Sequence, residues 1–249
     1  MHTPSTLITS RPLDEYCALF GLTRAALAAV PGPVLDCPGG AAGLTAEARE
    51  LGVTVIAADP AYAAPLPELT ALARAGRDSM AARLAVAPER HLPAPHLRPE
   101  RYLRSWDRAR RLFAADSTAH PERYVAGVLP RLPFADGSFA LTLSAYLLFA
   151  YPGLFPPERQ LAGLLELVRV TAPAGEVRVY PLHDGDGRPC PHLSRLRAAL
   201  GERQVSTEVS RFPRPGDGRT RRVLILRRSR VRRARPGSAP GPGPGRTAS

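Results

Sequence analysis

The 249-residue sequence contains no lysine and no asparagine, although arginine, alanine, proline and glycine are abundant. Such a bias is typical of very GC-rich coding sequences, so arginine is the default basic residue of this chain. A high arginine count is therefore a weaker sign of nucleic-acid binding than it would be in an average protein.

The sequence also has little cysteine and no long apolar run. Cys17, Cys37 and Cys190 are odd in number and widely spaced, which argues against a disulfide framework and against a structural zinc site. No segment approaches the ~18–20 apolar residues of a membrane span, and the first residues do not have the pattern of a secretion signal. We therefore expect a cytoplasmic protein without membrane contact and without a bound metal.

Acidic residues are missing from the end of the chain. Ten of the 34 arginines lie from Arg219 onward with no acid among them, whereas the 24 before them nearly balance the 22 acids. The net charge of +12 thus belongs to the C-terminal part. Residues 229–249, rich in Arg, Pro and Gly, are predicted to be a disordered tail. A solvated end is the preferred interpretation, and weak contact with a polyanion is the alternative.

Apolar strands alternate with helical patterns through the rest of the chain, which predicts an α/β fold with a doubly wound, mostly parallel sheet. Residues 1–32 are predicted to be an N-terminal helical arm, and residues 33–228 one domain with a helical insertion at about 76–120. Two strands at 204–212 and 220–228, joined by a short loop, predict an antiparallel hairpin. We expect the arm to pack over the domain. A lid in which Tyr16 or Phe20 covers a ligand is the alternative.

Residues 34–43, VLDCPGGAAG, hold the clearest functional signal. A buried strand ends in Asp36 and passes through a glycine-rich turn into a helix predicted at 41–51. Backbone N–H groups of such a turn point at a ligand. A second strand at 53–58 ends at Asp59-Pro60, 23 residues after Asp36, where a carboxylate can bind a ribose diol. The alternative is that both acids only cap the turns that follow them.

Several stretches in the right order resemble the class I S-adenosylmethionine-dependent methyltransferases. They are the acid and glycine turn of residues 34–43, Asp59, the loop LPFADGSF at 132–139, the helix end LLELVRV at 164–170, and the final hairpin. The resemblance covers roughly residues 30–228 and is closest to uncharacterised bacterial members. It implies a Rossmann-like, seven-stranded sheet with an antiparallel C-terminal hairpin strand.

The resemblance also implies S-adenosylmethionine as cofactor and a methyl acceptor that is a small molecule more readily than a macromolecule. Asp59 would bind the ribose, and the first turn the methionine end. The cofactor-binding residues predicted in this way are Asp36, Cys37, Pro38, Gly39, Gly40, Asp59 and Pro60.

No catalytic residue is assigned by the sequence. Candidates on the acceptor side follow the fourth strand, predicted at 140–146, and the fifth, predicted at 175–182: Ser144, Tyr146, Tyr151, His183, Asp184 and Asp186. His183 could serve as a general base near neutral pH, although a lone loop histidine is more often simply exposed.

Two alternative functions stay open. Pro38 and Ala42 replace glycines of the family's turn, and no acid follows the third strand on the adenine side. Both departures favour a degenerate, non-catalytic methyltransferase-fold binding module. A nicotinamide-dependent oxidoreductase is disfavoured by the acid at Asp36 and by the final hairpin.

Overall fold

A single seven-stranded sheet organises the protein. The computed structural model describes residues 6–214, 217 and 219–229. The strands are β1 Val34–Asp36, β2 Val55–Ala58, β3 Tyr124–Val125, β4 Phe139–Ala145, β5 Thr171–Tyr180, β6 Val205–Pro213 and β7 Thr220–Arg228.

The strands lie in the order β3-β2-β1-β4-β5-β7-β6. The first five pair in parallel, whereas β7 is antiparallel to both β5 and β6. The predicted Rossmann-like, seven-stranded, mostly parallel sheet with an antiparallel C-terminal hairpin is therefore confirmed. The order reverses between β1 and β4, and this is the switch point at which open α/β sheets bind ligands.

Eight α-helices surround the sheet in the described part of the chain. They are α1 Leu13–Phe20, α2 Arg24–Ala28, α3 Leu44–Arg49, α4 Leu66–Val86, α5 Pro88–His91, α6 Pro99–Ala119, α7 Pro157–Val170 and α8 Leu193–Gly201. Within the same residues, no helix is long and apolar enough to cross a membrane.

The sheet is covered on both faces, which explains why β1, β2 and the middle of β7 are apolar without alternation. In β7, Leu224 and Leu226 join the core formed with α7 and α8. Val223 and Ile225 join the opposite core, formed with α1 and α3. Successive side chains of a strand point to opposite faces, so a strand buried on both sides needs an apolar residue at each of these positions.

Helix α4 is longer than the sequence predicts. The pattern suggests separate helices at 66–75 and 79–86, with Gly76 between them, but α4 runs through that glycine without interruption. Gly76 has a packing role instead, since a methyl group added there would overlap the backbone carbonyl oxygen of Ile8. A glycine inside a helical pattern here marks a close approach of another backbone rather than a helix end.

The proposed division into arm, domain and insertion stays a prediction. Helices α4, α5 and α6 do lie between β2 and β3, where the insertion was expected, and they begin at Leu66. Residues 230–249 of the predicted tail lie outside the described residues.

The loop before β4 is fixed by a charged pair on α7. Glu166 accepts hydrogen bonds from the backbone N–H of Leu132 (2.6 Å) and from Arg169 (2.8 Å). Arg169 also donates to the Phe134 carbonyl and to Asp136. These hydrogen bonds, Arg169 foremost, lower the pKa of the Glu166 carboxyl.

We predict that Glu166→Gln lowers the free energy of unfolding by about 1–3 kcal/mol at pH 7, because a charge-assisted network loses its anion. A carboxyl with a lowered folded-state pKa stabilises the fold above its unfolded pKa of about 4.3. The difference between variant and wild type should therefore shrink as pH falls below 4 in urea unfolding curves.

The matched control is Glu158→Gln, an exposed position in the first turn of the same helix. It should change stability by no more than about 0.5 kcal/mol. Equal effects of the two substitutions at pH 7 would contradict the role given to Glu166.

Candidate functional site

The two predicted acids and the glycine turn meet at the carboxyl edge of the sheet. Asp36 ends β1, Asp59 directly follows β2, and the turn connects β1 to α3. Both carboxyl groups are almost fully buried, with Asp36 1% and Asp59 4% exposed. The two acids and the turn thus lie together next to the switch point of the sheet.

The Asp59 carboxylate accepts hydrogen bonds from the backbone of two different turns. One carboxylate oxygen accepts the N–H of Gly40 and the other the N–H of Ala61, each at 2.9 Å. Burial raises the pKa of the Asp59 carboxyl, and these two N–H groups oppose that rise. In this arrangement Asp59 fixes the glycine turn and caps the 3-10 turn Pro60–Ala63.

Only one of the two carboxylate oxygens of Asp36 has a hydrogen-bond partner among the described residues. Its Oδ2 accepts the hydroxyl of Tyr16 at 2.8 Å, whereas its Oδ1 is buried without a hydrogen-bond partner. Burial raises the pKa of the Asp36 carboxyl well above its ordinary value; the Tyr16 hydroxyl opposes that rise and the charge of Asp59 adds to it. A buried acceptor left over at a sheet edge is suited to a ligand that carries a hydrogen-bond donor.

The other predicted cofactor-binding residues complete the turn. Cys37 is buried, and its N–H donates to the Leu143 carbonyl of β4 at 2.9 Å. Burial raises the pKa of the Cys37 thiol well above its ordinary value, so the side chain is an inert apolar group. Pro38 is half-buried and Pro60 exposed.

Gly40 has a φ of 54°, which lies in the left-handed region that favours glycine. Gly39 lies against the Tyr62 hydroxyl, which itself donates to the Gly40 carbonyl oxygen at 2.8 Å. The turn is therefore closely packed on the side of β2.

An acid and a glycine turn at the switch point, together with an antiparallel seventh strand, decide the fold. It is that of the class I methyltransferases. The strand order of the chain itself carries this assignment.

Comparison with known proteins gives distant likenesses. No protein-family model matches the chain. An uncharacterized protein of Methanocaldococcus jannaschii is 21% identical over 229 residues, which are 92% of this chain and 99% of that protein.

Solved structures similar to this chain include three methyltransferases. The Burkholderia thailandensis 1,6-didemethyltoxoflavin-N1-methyltransferase is 19% identical, with 83% of this chain and 76% of that chain covered and a TM-score of 0.45. A TehB-like methyltransferase of Corynebacterium glutamicum is 15% identical, with 86% and 87% covered and a TM-score of 0.46. The magnesium protoporphyrin IX methyltransferase of Synechocystis is 14% identical, with 83% and 74% covered and a TM-score of 0.44.

The N-terminal arm lies directly on the glycine turn of this methyltransferase fold. The N–H of Ala41 donates to the Thr9 carbonyl and the N–H of Gly43 to the Arg11 carbonyl, both at 2.9 Å. With Gly40 bound to Asp59, three N–H groups of the turn are used inside the protein. The arm therefore takes the donors that the sequence assigned to a ligand.

The arm is anchored along its length between the sheet edge and the insertion. The Ile8 side chain packs in a small core with Ala41 and Phe113, and its carbonyl oxygen faces Gly76 of α4. One residue earlier, the N–H of Leu7 donates to the Tyr151 hydroxyl at 3.1 Å. These contacts are the kind expected of an arm that packs over the domain. In addition, Tyr16 contacts the predicted site through its hydrogen bond to Asp36.

Arg11 brings a buried ion pair to the same edge. Its guanidinium lies 3.0 Å from Glu15 and stacks 4.1 Å from the centre of the Tyr146 ring. Glu15 also accepts the Tyr102 hydroxyl at 2.9 Å, but its second oxygen has no partner. Burial raises the pKa of the Glu15 carboxyl, and the charge of Arg11 opposes that rise.

The predicted acceptor-side residues separate into two groups. Tyr146 and His183 line a cleft at the ends of β4 and β5. Tyr151, Asp184 and Asp186 line a shallower depression nearby.

Ser144 belongs to neither group, because it is fully buried in β4 with an unpartnered hydroxyl. In the described residues, no three His, Cys, Asp or Glu side chains gather as metal ligands.

His183 has a defined tautomer. Its Nδ1 lies 2.8 Å from the carbonyl oxygen of Asp184. A carbonyl oxygen only accepts hydrogen bonds, so Nδ1 carries the proton and Nε2 of the neutral ring is an acceptor. The ring can therefore take a proton through Nε2.

The sequence did not indicate that the backbone of the arm contacts the glycine turn, or that Arg11 lies at the same edge. Carbonyl groups of Thr9 and Arg11 make the contacts to the turn, and any residue has such a group. Gly76 was the one available signal, since its lack of a side chain admits the Ile8 carbonyl.

We predict that Asp36→Asn stabilises the fold at pH 7 by about 1–3 kcal/mol, because a buried, half-satisfied carboxylate is replaced by a neutral group of the same shape. A carboxyl with a raised folded-state pKa favours the fold at low pH and loses that contribution as pH rises above about 4. The gain in melting temperature should therefore grow from pH 4 to pH 7.

Asp78→Asn serves as the control, since the Asp78 side chain on α4 is 76% exposed. Its melting temperature should follow that of the wild type at every pH. A destabilised Asp36→Asn variant at pH 7 would show that the carboxylate is satisfied in the folded protein.

Proposed function

We propose that the protein is an S-adenosylmethionine-dependent methyltransferase that acts on a small-molecule acceptor. One observation carries the proposal: Asp36, Asp59 and the glycine turn converge at the switch point of a methyltransferase-type sheet. The cofactor supplies an activated methyl group when it is bound.

The residues at the edge have the chemistry that this cofactor needs. Asp36 Oδ1 is a buried, unpartnered acceptor suited to the ammonium of the methionine moiety. Each Asp59 oxygen accepts one N–H and retains a second lone pair for a ribose hydroxyl. The N–H groups of Ala41 and Gly43 are suited to a carboxylate.

Access to these groups requires the arm to move. Thr9 and Arg11 cover the turn, and Asp59 is 4% exposed while they do. We infer that residues 7–11 leave the turn when the cofactor enters, so that the ligand takes over the hydrogen bonds of the arm. The free energy of releasing the arm then lowers the apparent affinity.

Groups of the chain itself can align the methyl acceptor and take its proton. Methyl transfer from a sulfonium depends mainly on alignment and proximity, which the cleft walls supply. Where the accepting atom must lose a proton, Nε2 of His183 is the group in the cleft that takes it.

A non-catalytic binding module is the second candidate function. The observation that favours it is that Thr9, Arg11 and Asp59 already accept the N–H groups of Ala41, Gly43 and Gly40. In that case the arm is a permanent part of the core, and the fold serves as a scaffold for another ligand or partner.

Calorimetric titration with S-adenosylmethionine separates the two functions when it is done on the wild type and on Gly76→Ala. The added methyl group overlaps the Ile8 carbonyl and pushes the arm away from α4, while alanine suits the helix itself. We expect the variant to bind the cofactor about 10-fold more tightly, for a release cost of about 1.4 kcal/mol.

The matched control is Gly201→Ala at the end of α8, where an added methyl group meets nothing within 4 Å. Its affinity should equal that of the wild type. Absence of binding heat at millimolar ligand in all three proteins would contradict the methyltransferase proposal and support the binding module.

A further inference from the structure

The cleft at the ends of β4 and β5 has a pronounced chemical character. It has a volume of about 280 Å³, near the lower end of small-molecule sites. The rings of Tyr146 and Tyr180 form one wall, with their centres 5.4 Å apart, and Leu182 extends it. The two rings stand at 79° to each other and Arg11 stacks on Tyr146, so the wall is apolar but not flat, and it suits an apolar body.

Tyr146 is held in an unusual backbone conformation at this wall. Its φ is 53°, in the left-handed region that a bulky side chain rarely adopts. Its N–H donates to the Tyr180 carbonyl at 2.7 Å, which fixes the residue at the end of β4. Strain of this kind persists where the surroundings over-determine it, and it is concentrated at ligand sites.

Most of the ionisable residues in the lining are basic. They come from α5, from the loop after β5 and from the final hairpin: Arg90, His91, His183, Arg214, Arg219, Arg221 and Arg222. The acidic member of the lining is Glu15, which already pairs with Arg11 at 3.0 Å.

Part of this positive charge is neutralised within the protein. Arg214 pairs with Asp217 at 3.2 Å, and Arg90 lies 4.0 Å from Glu89. Arg221 and Arg222 have no carboxylate within 4 Å in the described part of the chain. Arg221 is 6% exposed; its Nη2 donates to the Pro93 carbonyl, and its Nη1 is buried without a partner. Concentrated, unpaired guanidinium groups in a small cleft attract an anion.

We propose that this cleft binds a small organic anion with an apolar body, whose carboxylate or phosphate group is held by Arg221. The inference rests on the proposed function in one respect, namely that this anion is the methyl acceptor. The cleft lies where β4 and β5 end, beside Arg11 and the arm, and so adjoins the edge assigned to the cofactor.

The test is calorimetry on the full chain with three probes that share one body: benzoate, phenyl phosphate and neutral benzamide. We expect at least one anion to bind about 10-fold or more tightly than benzamide, as a charge-assisted contact requires. The stronger of the two anions identifies the natural head group as carboxylate or phosphate. Equal affinities for the anions and for benzamide would overturn the proposal.

Arg221→Gln is the first variant, because it removes the guanidinium whose Nη1 has no partner. Its affinity for the preferred anion should fall about 10-fold. Arg90→Gln, at a 71% exposed side chain of the lining, is the second, and a smaller loss in the same direction is expected. The control, Arg195→Gln, removes the same charge from the exposed surface of α8 and should leave the affinity unchanged.

The outcomes are distinguishable from those of the cofactor titration, since no probe here contains S-adenosylmethionine. Anion binding without cofactor binding would keep the cleft as an anion site and remove its role as acceptor site. Cofactor binding without anion binding, or an unchanged affinity in both Arg221→Gln and Arg90→Gln, would overturn the present inference alone.

Discussion

Backbone N–H groups in a glycine turn at a sheet edge must find acceptors, and this constraint governs the candidate site. Three of these N–H groups, those of Ala41, Gly43 and Gly40, are accepted by the carbonyls of Thr9 and Arg11 and by the carboxylate of Asp59. A ligand in the same place must replace the arm's carbonyls one for one, because buried N–H groups are costly when unpaired. A cofactor bound as we propose would therefore compete with the arm for the same donors.

The two acids at this edge, Asp36 and Asp59, also affect the stability of the fold. Asp36 keeps one buried oxygen unpartnered, and burial raises the pKa of its carboxyl and of the Asp59 carboxyl. Such groups weaken the fold and are retained where they serve a ligand. On the other side of β4, the basic cleft carries opposite charge. The two ends of the site thus differ in sign, which suits a cationic cofactor head on one side and an anionic acceptor on the other.

Much of the architecture follows from the sequence, and the contacts of the arm do not. Apolar strands, two acids at strand ends and the final hairpin suffice for the sheet, because periodicity and turn chemistry are local signals. The arm binds through backbone carbonyls, which leave no mark on residue type. The pattern divides α4 into helices at 66–75 and 79–86, whereas the helix continues through Gly76, which admits a neighbouring backbone. The assignment of individual cofactor-binding residues stays a prediction.

Hydrogen exchange measured with and without S-adenosylhomocysteine tests the central claim, that the cofactor displaces the arm, most directly. The account predicts that the Leu7 amide, which donates to the Tyr151 hydroxyl, loses protection when the ligand binds, while those of Ala41 and Gly43 stay protected by the ligand. A bound ligand that leaves the protection of Leu7 unchanged or increased would contradict it, because the arm would then still occupy the turn.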